Sequence, residues 1–168
     1  MDIQAEIAQH ARTLIRDACA ARARIVVAES CTGGLIAGAL TAVAGASDAI
    51  EGGFVTYSNR MKHDLLGVDM GLINQHGAVS PEVAAAMAVG ALQQAPNAQL
   101  SLSVTGVAGP GQSENKPAGL VYMGLCHRGK PPSTLRFYFE EKNRDQVRMH
   151  SVFEGVKALM LLVENTPS

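Results

Sequence analysis

Ser30, Cys31 and Thr32 stand side by side, preceded by Ala28-Glu29 and followed by Gly33-Gly34. Ser30 and Cys31 are each a potential nucleophile once a proton is removed. The run before them, Arg24-Ile25-Val26-Val27-Ala28, is β-branched and reads as a buried strand, while Leu35 to Val43 has the length and spacing of a helix. The triplet therefore falls at a strand-to-helix turn. Such a turn exposes one side chain beside the N–H groups of the helix start, which have no partner inside the helix and can hold an oxyanion or a phosphate. On this reading Thr32, Gly33 and Gly34 supply backbone donors. Neighbouring residues leaving a strand point in opposite directions, so one of Ser30 and Cys31 faces the crevice, and spacing does not say which.

A serine also needs a base. The chain has five histidines, and no recognisable motif sets one beside Ser30. His10 and His150 fall in helical patterns, His127 ends a strand pattern and His76 precedes a loop, so each reads as a surface or packing residue. Lysine is the other candidate, provided that burial or a neighbouring positive charge lowers its pKa. Lys62 follows a strand exit through Tyr57-Ser58-Asn59-Arg60-Met61, and strand ends in open α/β sheets gather around a shared crevice. Ser30 and Lys62 converge if their strands are neighbours, with Tyr57 placed to orient or relay a proton. On spacing alone, a tyrosine and a lysine at a strand exit are more often ordinary surface residues.

Three familiar motifs fail here. Ser58 and Lys62 are four apart, which is not Ser-x-x-Lys. Gly106-Val107-Ala108-Gly109-Pro110-Gly111-Gln112-Ser113 nearly copies a nucleotide-binding loop, but Gln112 replaces its lysine and Lys116-Pro117 breaks the helix that should follow. The dinucleotide pattern Gly-x-Gly-x-x-Gly is absent as well. What remains after Thr105 is either a glycine loop that brings N–H groups close to a ligand or a plain turn. No His, Cys, Asp or Glu spacing matches a metal site. Hydroxyls, one lysine and glycine loops point to a hydrolase without metal or cofactor.

The elements that must position these residues follow from periodicity. Residues 3–22 read as an amphipathic helix, Gly53 to Tyr57 as a strand, Arg60 to Leu66 as a short helix ended by Gly67, and Ser80 as the cap of an alanine-rich helix reaching Gln94. Strand patterns follow at Gln99–Val104, Leu120–His127 and Thr134–Phe139, the last two a hairpin, and then a helix from near Asn143 to Glu164. Late neighbouring strands joined by a short turn argue for a mixed sheet. The expected fold is α/β, a three-layer α/β/α domain spanning residues 1–168.

Composition bounds the function. At 168 residues and 47% hydrophobic content the chain fills one core. Fourteen basic against fifteen acidic residues give a net charge of -1 without runs of either sign, which argues against a nucleic-acid partner. No apolar stretch approaches the roughly 20 residues of a membrane span, and Met1-Asp2-Ile3-Gln4-Ala5-Glu6 lacks signal-peptide order, so a cytoplasmic protein without a membrane partner is expected. Cys19, Cys31 and Cys126 are odd in number and widely spaced, as suits a reducing compartment; Cys19 and Cys126 read as small buried hydrophobes.

Five blocks taken in order carry a family resemblance: Ala28 to Gly34, Gly52 to Asn59 with Lys62, Leu66-Gly67-Val68, His76 to Ser80, and Thr105 to Pro110. Across residues 5–163 the chain resembles the CinA carboxy-terminal domain family, nicotinamide-nucleotide amidohydrolases that convert nicotinamide mononucleotide (NMN) to nicotinic acid mononucleotide and ammonia. The resemblance implies Ser30 as nucleophile and Lys62 as general base, with Tyr57 close to both. It places Thr105 in the same pocket, Gly106 and Gly109 along the ligand, and Asn59 and Arg144 as substrate contacts. It also implies a homo-oligomer. The chain is similar to the stand-alone deamidases, so the pyrophosphatase-type activity of longer family members is not expected to transfer. It departs from the family in the loop Gly111–Gly119, where a glycine is missing and Ala118 stands in place of valine. The alternative function is a non-catalytic member that binds a nucleotide or another protein.

Overall fold

The computed structural model describes residues 2–166. Met1, which begins the reading against a signal peptide, and the last two residues of the 1–168 span lie outside the described residues. Helix α1 (Ile3–Ala21) starts at Asp2, whose side chain accepts the Gln4 N–H. It leads into β1 (Ile25–Glu29), buried at every position. Side chains of β1 alternate between two cores: Ile25 and Val27 join one apolar cluster, Val26 and Ala28 the other. A strand that is apolar on both faces must be covered on both.

The remaining elements supply that cover. Helix α2 (Leu35–Thr41) and a 3-10 turn at Ala46–Asp48 lead to β2 (Ile50–Val55), followed by α3 (Asn59–Leu66), α4 (Met70–His76) and α5 (Pro81–Gln94). Strands β3 (Leu100–Gly106), β4 (Leu120–His127) and β5 (Ser133–Tyr138) and the long α6 (Arg144–Glu164) complete the chain. The sheet order is β2-β1-β3-β4-β5. β2 and β3 flank β1 in parallel, whereas β4 runs antiparallel to β3 and β5 antiparallel to β4. Apolar residues of α1, α2 and α6 fill one face and those of α3, α4 and α5 the other. This is the mixed-sheet α/β/α fold expected from the sequence.

Two elements differ from expectation. β2 occupies Ile50–Val55 rather than residues 53–57 because Gly52 and Gly53 pair with Val26 and Val27. Gly53 is needed there, since a β-carbon would lie 3.0 Å from Val27 Cγ2 and 3.2 Å from Ala37 Cβ, where α2 crosses the strand. Helix α4, capped by the Asp69 side chain on the Gly71 N–H, was not anticipated; its single turn pair buries only Ile73, too little periodicity to register.

The alanine-rich α5 lies close to the sheet. Ser101 and Ser103, facing it from β3, donate to the carbonyls of Ala88 and Ala84 at 2.7 and 2.5 Å, so their buried hydroxyls are satisfied. At Gly90 a β-carbon would run into the carbonyl of Leu66, the last residue of α3. Since α3 carries Lys62, this close approach fixes where that side chain enters the sheet end. Gly90→Ala should destabilise the protein by about 1–3 kcal/mol through overpacking, outweighing a helix-propensity gain of about 1 kcal/mol. Urea unfolding measures the difference; an alanine variant as stable as the parent would show that the two helices can separate without cost.

Candidate active site

The carboxyl ends of the parallel strands sit side by side, with Glu29 opposite both Val55 and Val104. Chain leaving β1 and β2 continues the ladder for one more step on each side. The Ser30 N–H donates to the Val104 carbonyl at 3.0 Å and the Thr56 N–H to the Glu29 carbonyl at 2.8 Å. Ser30 and the segment entering α3 are thereby held rigidly against each other. Ser58 caps α3, accepting the Met61 N–H at 3.1 Å, and starts the helix so that Lys62 turns inward.

Lys62 is 1% exposed, and Ser30 is buried beside it. Its Nζ donates to Ser30 Oγ at 3.1 Å, to the Thr56 carbonyl at 2.9 Å and to the Tyr57 carbonyl at 3.3 Å. Among the described residues no carboxylate pairs with it. Burial therefore lowers its pKa to about 8, with the Cys31 thiol and the Glu114 carboxylate pulling weakly the other way. Burial acts oppositely on the neighbouring Cys31 thiol, whose pKa is pushed up to about 12. Of the two candidate nucleophiles, Ser30 is the one in contact with the Lys62 amine, and Cys31 stays a protonated thiol.

The start of α2 does not match expectation. Glu29, 1% exposed, turns its carboxylate onto the N–H groups of Gly34, Ile36 and Ala37 at 3.1, 3.1 and 2.9 Å. The Gly33 N–H donates to the Ser30 carbonyl. The donors read as facing a ligand at Gly33 and Gly34 are thus engaged within the chain, and neither these glycines nor Thr32 lines the cavity. Thr32 is fully buried with its hydroxyl unpartnered. The N–H of Cys31, immediately after Ser30, donates to no backbone carbonyl among the described residues.

Ser30 and Lys62 open into a cavity of about 210 Å³ whose wall also includes Tyr57, Asn59, Thr105, Gly106 and Arg144. A second lobe of about 190 Å³ adjoins it, sharing Tyr57, Gly106 and Arg144 and adding the glycine loop with Gly109. Tyr57 reaches Lys62 only through its backbone carbonyl. Its phenol hydroxyl, at the solvent edge, accepts from Arg144 Nη2 at 3.2 Å, while Arg144 Nη1 donates to the Gly109 carbonyl at 2.6 Å. The phenol thus sits at the mouth, away from the Ser30 proton. Thr105, also buried, donates its hydroxyl to the Ala78 carbonyl at 2.8 Å and retains only acceptor capacity toward the cavity. Among the described residues no three His, Cys, Asp or Glu side chains converge as metal ligands.

Residues 7–163 match the CinA C-terminal domain family. The chain belongs to this family. It is 44% identical over 143 residues to a protein of Enterobacter agglomerans named nicotinamide-nucleotide amidohydrolase PncC, covering 84% of this chain and 86% of that protein. It is 47% identical over 147 residues to the CinA-like protein of Citrifermentans bemidjiense, covering 85% of this chain and 35% of that one. The chain thus spans about a third of the length of many curated relatives it matches. Among solved structures, the competence/damage inducible protein CihA from Agrobacterium tumefaciens superposes with a TM-score of 0.90 at 38% identity, over 95% of this chain and 96% of that one.

Sequence reasoning overlooked one wall of the CinA cavity, formed by Ala78, Val79, Ser113 and Glu114. Glu114 is tied to residues 35 or more positions away, and no local pattern announces such pairing. No helix is long and apolar enough to cross a membrane among the described residues.

Burying Lys62 has a pH signature. Its folded pKa of about 8 lies below the ordinary lysine value of 10.5, so between these values the unfolded chain binds more protons and stability rises with pH. Below about pH 8 both states are protonated and the burial penalty is fully present. Unfolding free energies of the parent and Lys62→Met, measured from pH 7 to 10.5, should show the parent gaining relative to the variant across that window. Parallel curves would contradict a depressed lysine.

Proposed function

We propose that this CinA domain hydrolyses the carboxamide of NMN to nicotinic acid mononucleotide and ammonia, with Ser30 as nucleophile and Lys62 as general base. The observation that carries the reading is the buried 3.1 Å contact between Lys62 Nζ and Ser30 Oγ, with two carbonyls on the same nitrogen. A neutral amine has two hydrogens and one lone pair. Donating both hydrogens to the carbonyls of Thr56 and Tyr57 leaves the lone pair directed at the Ser30 hydroxyl, which is the arrangement a base requires. The amidohydrolase name of the Enterobacter agglomerans relative supports the substrate.

Lys62 takes the Ser30 proton as Oγ bonds to the amide carbon. The negative charge that develops on the amide oxygen meets the Cys31 N–H, the donor directly after the nucleophile. Lys62 then returns the proton to the departing nitrogen, the C–N bond breaks, ammonia leaves, and water hydrolyses the acyl-serine by the same proton route. Ligand pockets commonly run to about 300–1,000 Å³, so neither lobe alone holds a nucleotide. The carboxamide goes to the inner lobe, and the ribose and phosphate go to the outer one, against Asn59, the 106–109 loop and Arg144. The Arg144 guanidinium has N–H groups beyond the two already engaged, in a fork that suits phosphate oxygens.

Ammonia release from NMN without added metal is the test. Ser30→Ala and Lys62→Met should each lose at least about a hundredfold in kcat, while Cys31→Ala keeps activity of the parent's order. Because the base works as a neutral amine, kcat/KM should rise with pH through about 8 and level off above it. A folded parent that releases no ammonia from NMN overturns the reading in favour of a binding protein.

A further inference from the structure

Residues 113–116 form a tight turn closed by a bridge between Ser113 and Lys116, with Glu114 and Asn115 both at positive φ, 53° and 59°. Two successive non-glycine residues in this region are costly and persist where the surroundings hold them. Here the turn is clamped onto the segment between α4 and α5. The two carboxylate oxygens of Glu114 accept the N–H groups of Ala78 and Val79 at 3.0 and 3.2 Å. Lys116 Nζ donates to the carbonyls of His76 and Val79 and lies 3.8 Å from the Glu114 carboxylate. The Ala78 carbonyl in turn takes the Thr105 hydroxyl. Glu114 is therefore held by backbone dipoles and lines the same cavity as Ser30 and Lys62.

It is the one acid on that wall among the described residues; the other formal charges there are Lys62 and Arg144. Neither a neutral carboxamide nor a phosphate calls for an anion. The base does not need one either, since a carboxylate near Lys62 favours the protonated form and opposes its use. A negative charge fits a ligand that is itself positive at this depth. Resting on the function proposed above, we propose that Glu114 is a specificity-determining residue that selects a carboxamide carried on a cationic aromatic ring, against the neutral ring and against the carboxylate product. In a partly buried site a single charge acting over several ångströms changes relative affinity on the order of tenfold or more. The same field repels the carboxylate formed on hydrolysis and speeds its departure.

Calorimetry with Ser30→Ala, which cannot turn over, gives dissociation constants for NMN, its neutral 1,4-dihydro form and nicotinic acid mononucleotide. NMN should bind on the order of tenfold tighter than the dihydro form. Adding Glu114→Gln should bring that ratio close to one and tighten the product. Ser30→Ala with Lys116→Arg, which displaces the turn but keeps both charges, should weaken all three ligands alike and preserve the ratio. A ratio unchanged by Glu114→Gln, equal losses for all three ligands, or no binding of any of them overturns the proposal. Ammonia release by the parent is read separately: its absence with the ratio intact defeats the hydrolytic reading alone, and its presence with an unchanged ratio defeats the role of Glu114 alone.

Discussion

A lysine amine sealed from water against a serine hydroxyl is the constraint around which this structure is arranged. Burying a charge is expensive unless it is paired, and Lys62 has three neutral oxygens in place of a carboxylate. Those acceptors make the ammonium tolerable, and the lack of a counter-ion makes the neutral amine accessible. The same burial acts oppositely on a thiol, so the environment that lowers the Lys62 pKa keeps the neighbouring Cys31 protonated. The pair is held by the ladder continuing past β1, by the Ser58 side-chain cap on α3, and by the glycine that lets α5 seat against the end of α3.

Glu29 gives the site its second constraint. By occupying the N–H groups at the start of α2 it removes the place where a strand-to-helix turn would ordinarily hold an anion. On the proposed function the substrate phosphate is then met elsewhere, at the cationic fork of Arg144, braced on Tyr57 and Gly109 at the mouth of the outer lobe. The carboxylate also locks the turn on which Ser30 sits. The opposite wall is built by the same means, with Glu114 and Lys116 satisfying the backbone groups of residues 76–79.

Much of this was legible in the residues themselves. The apolar run at Ile25–Ala28, the strand pattern at Gln99–Val104, the Ser80-Pro81 helix start and the helical pattern that begins near Asn143 are local signals, and local signals specify local structure. The five ordered blocks around Ser30, Tyr57 with Lys62, Leu66, His76 and Thr105 identify the family. β2 was displaced because strand propensity discounts glycine, whereas the fold selects Gly53 for the room it leaves between Val27 and Ala37.

The sequence alone determined the types of the elements other than α4 and the Ala46–Asp48 turn, the buried character of β1 and the chemical identities available at strand ends. Only the tertiary structure set Ser30 rather than Cys31 against the Lys62 amine, moved the Tyr57 phenol to the mouth, engaged the N–H groups of Gly33 and Gly34 within the chain, and brought Glu114 into the cavity. Each of these depends on which groups are buried together and which backbone donors are already engaged. The contacts of Ser30, Tyr57 and Glu114 join residues 30 or more positions apart, which no local pattern encodes, while the engagement of Gly33 and Gly34 is short-range and turns on where the Ser30 carbonyl and the Glu29 carboxylate point.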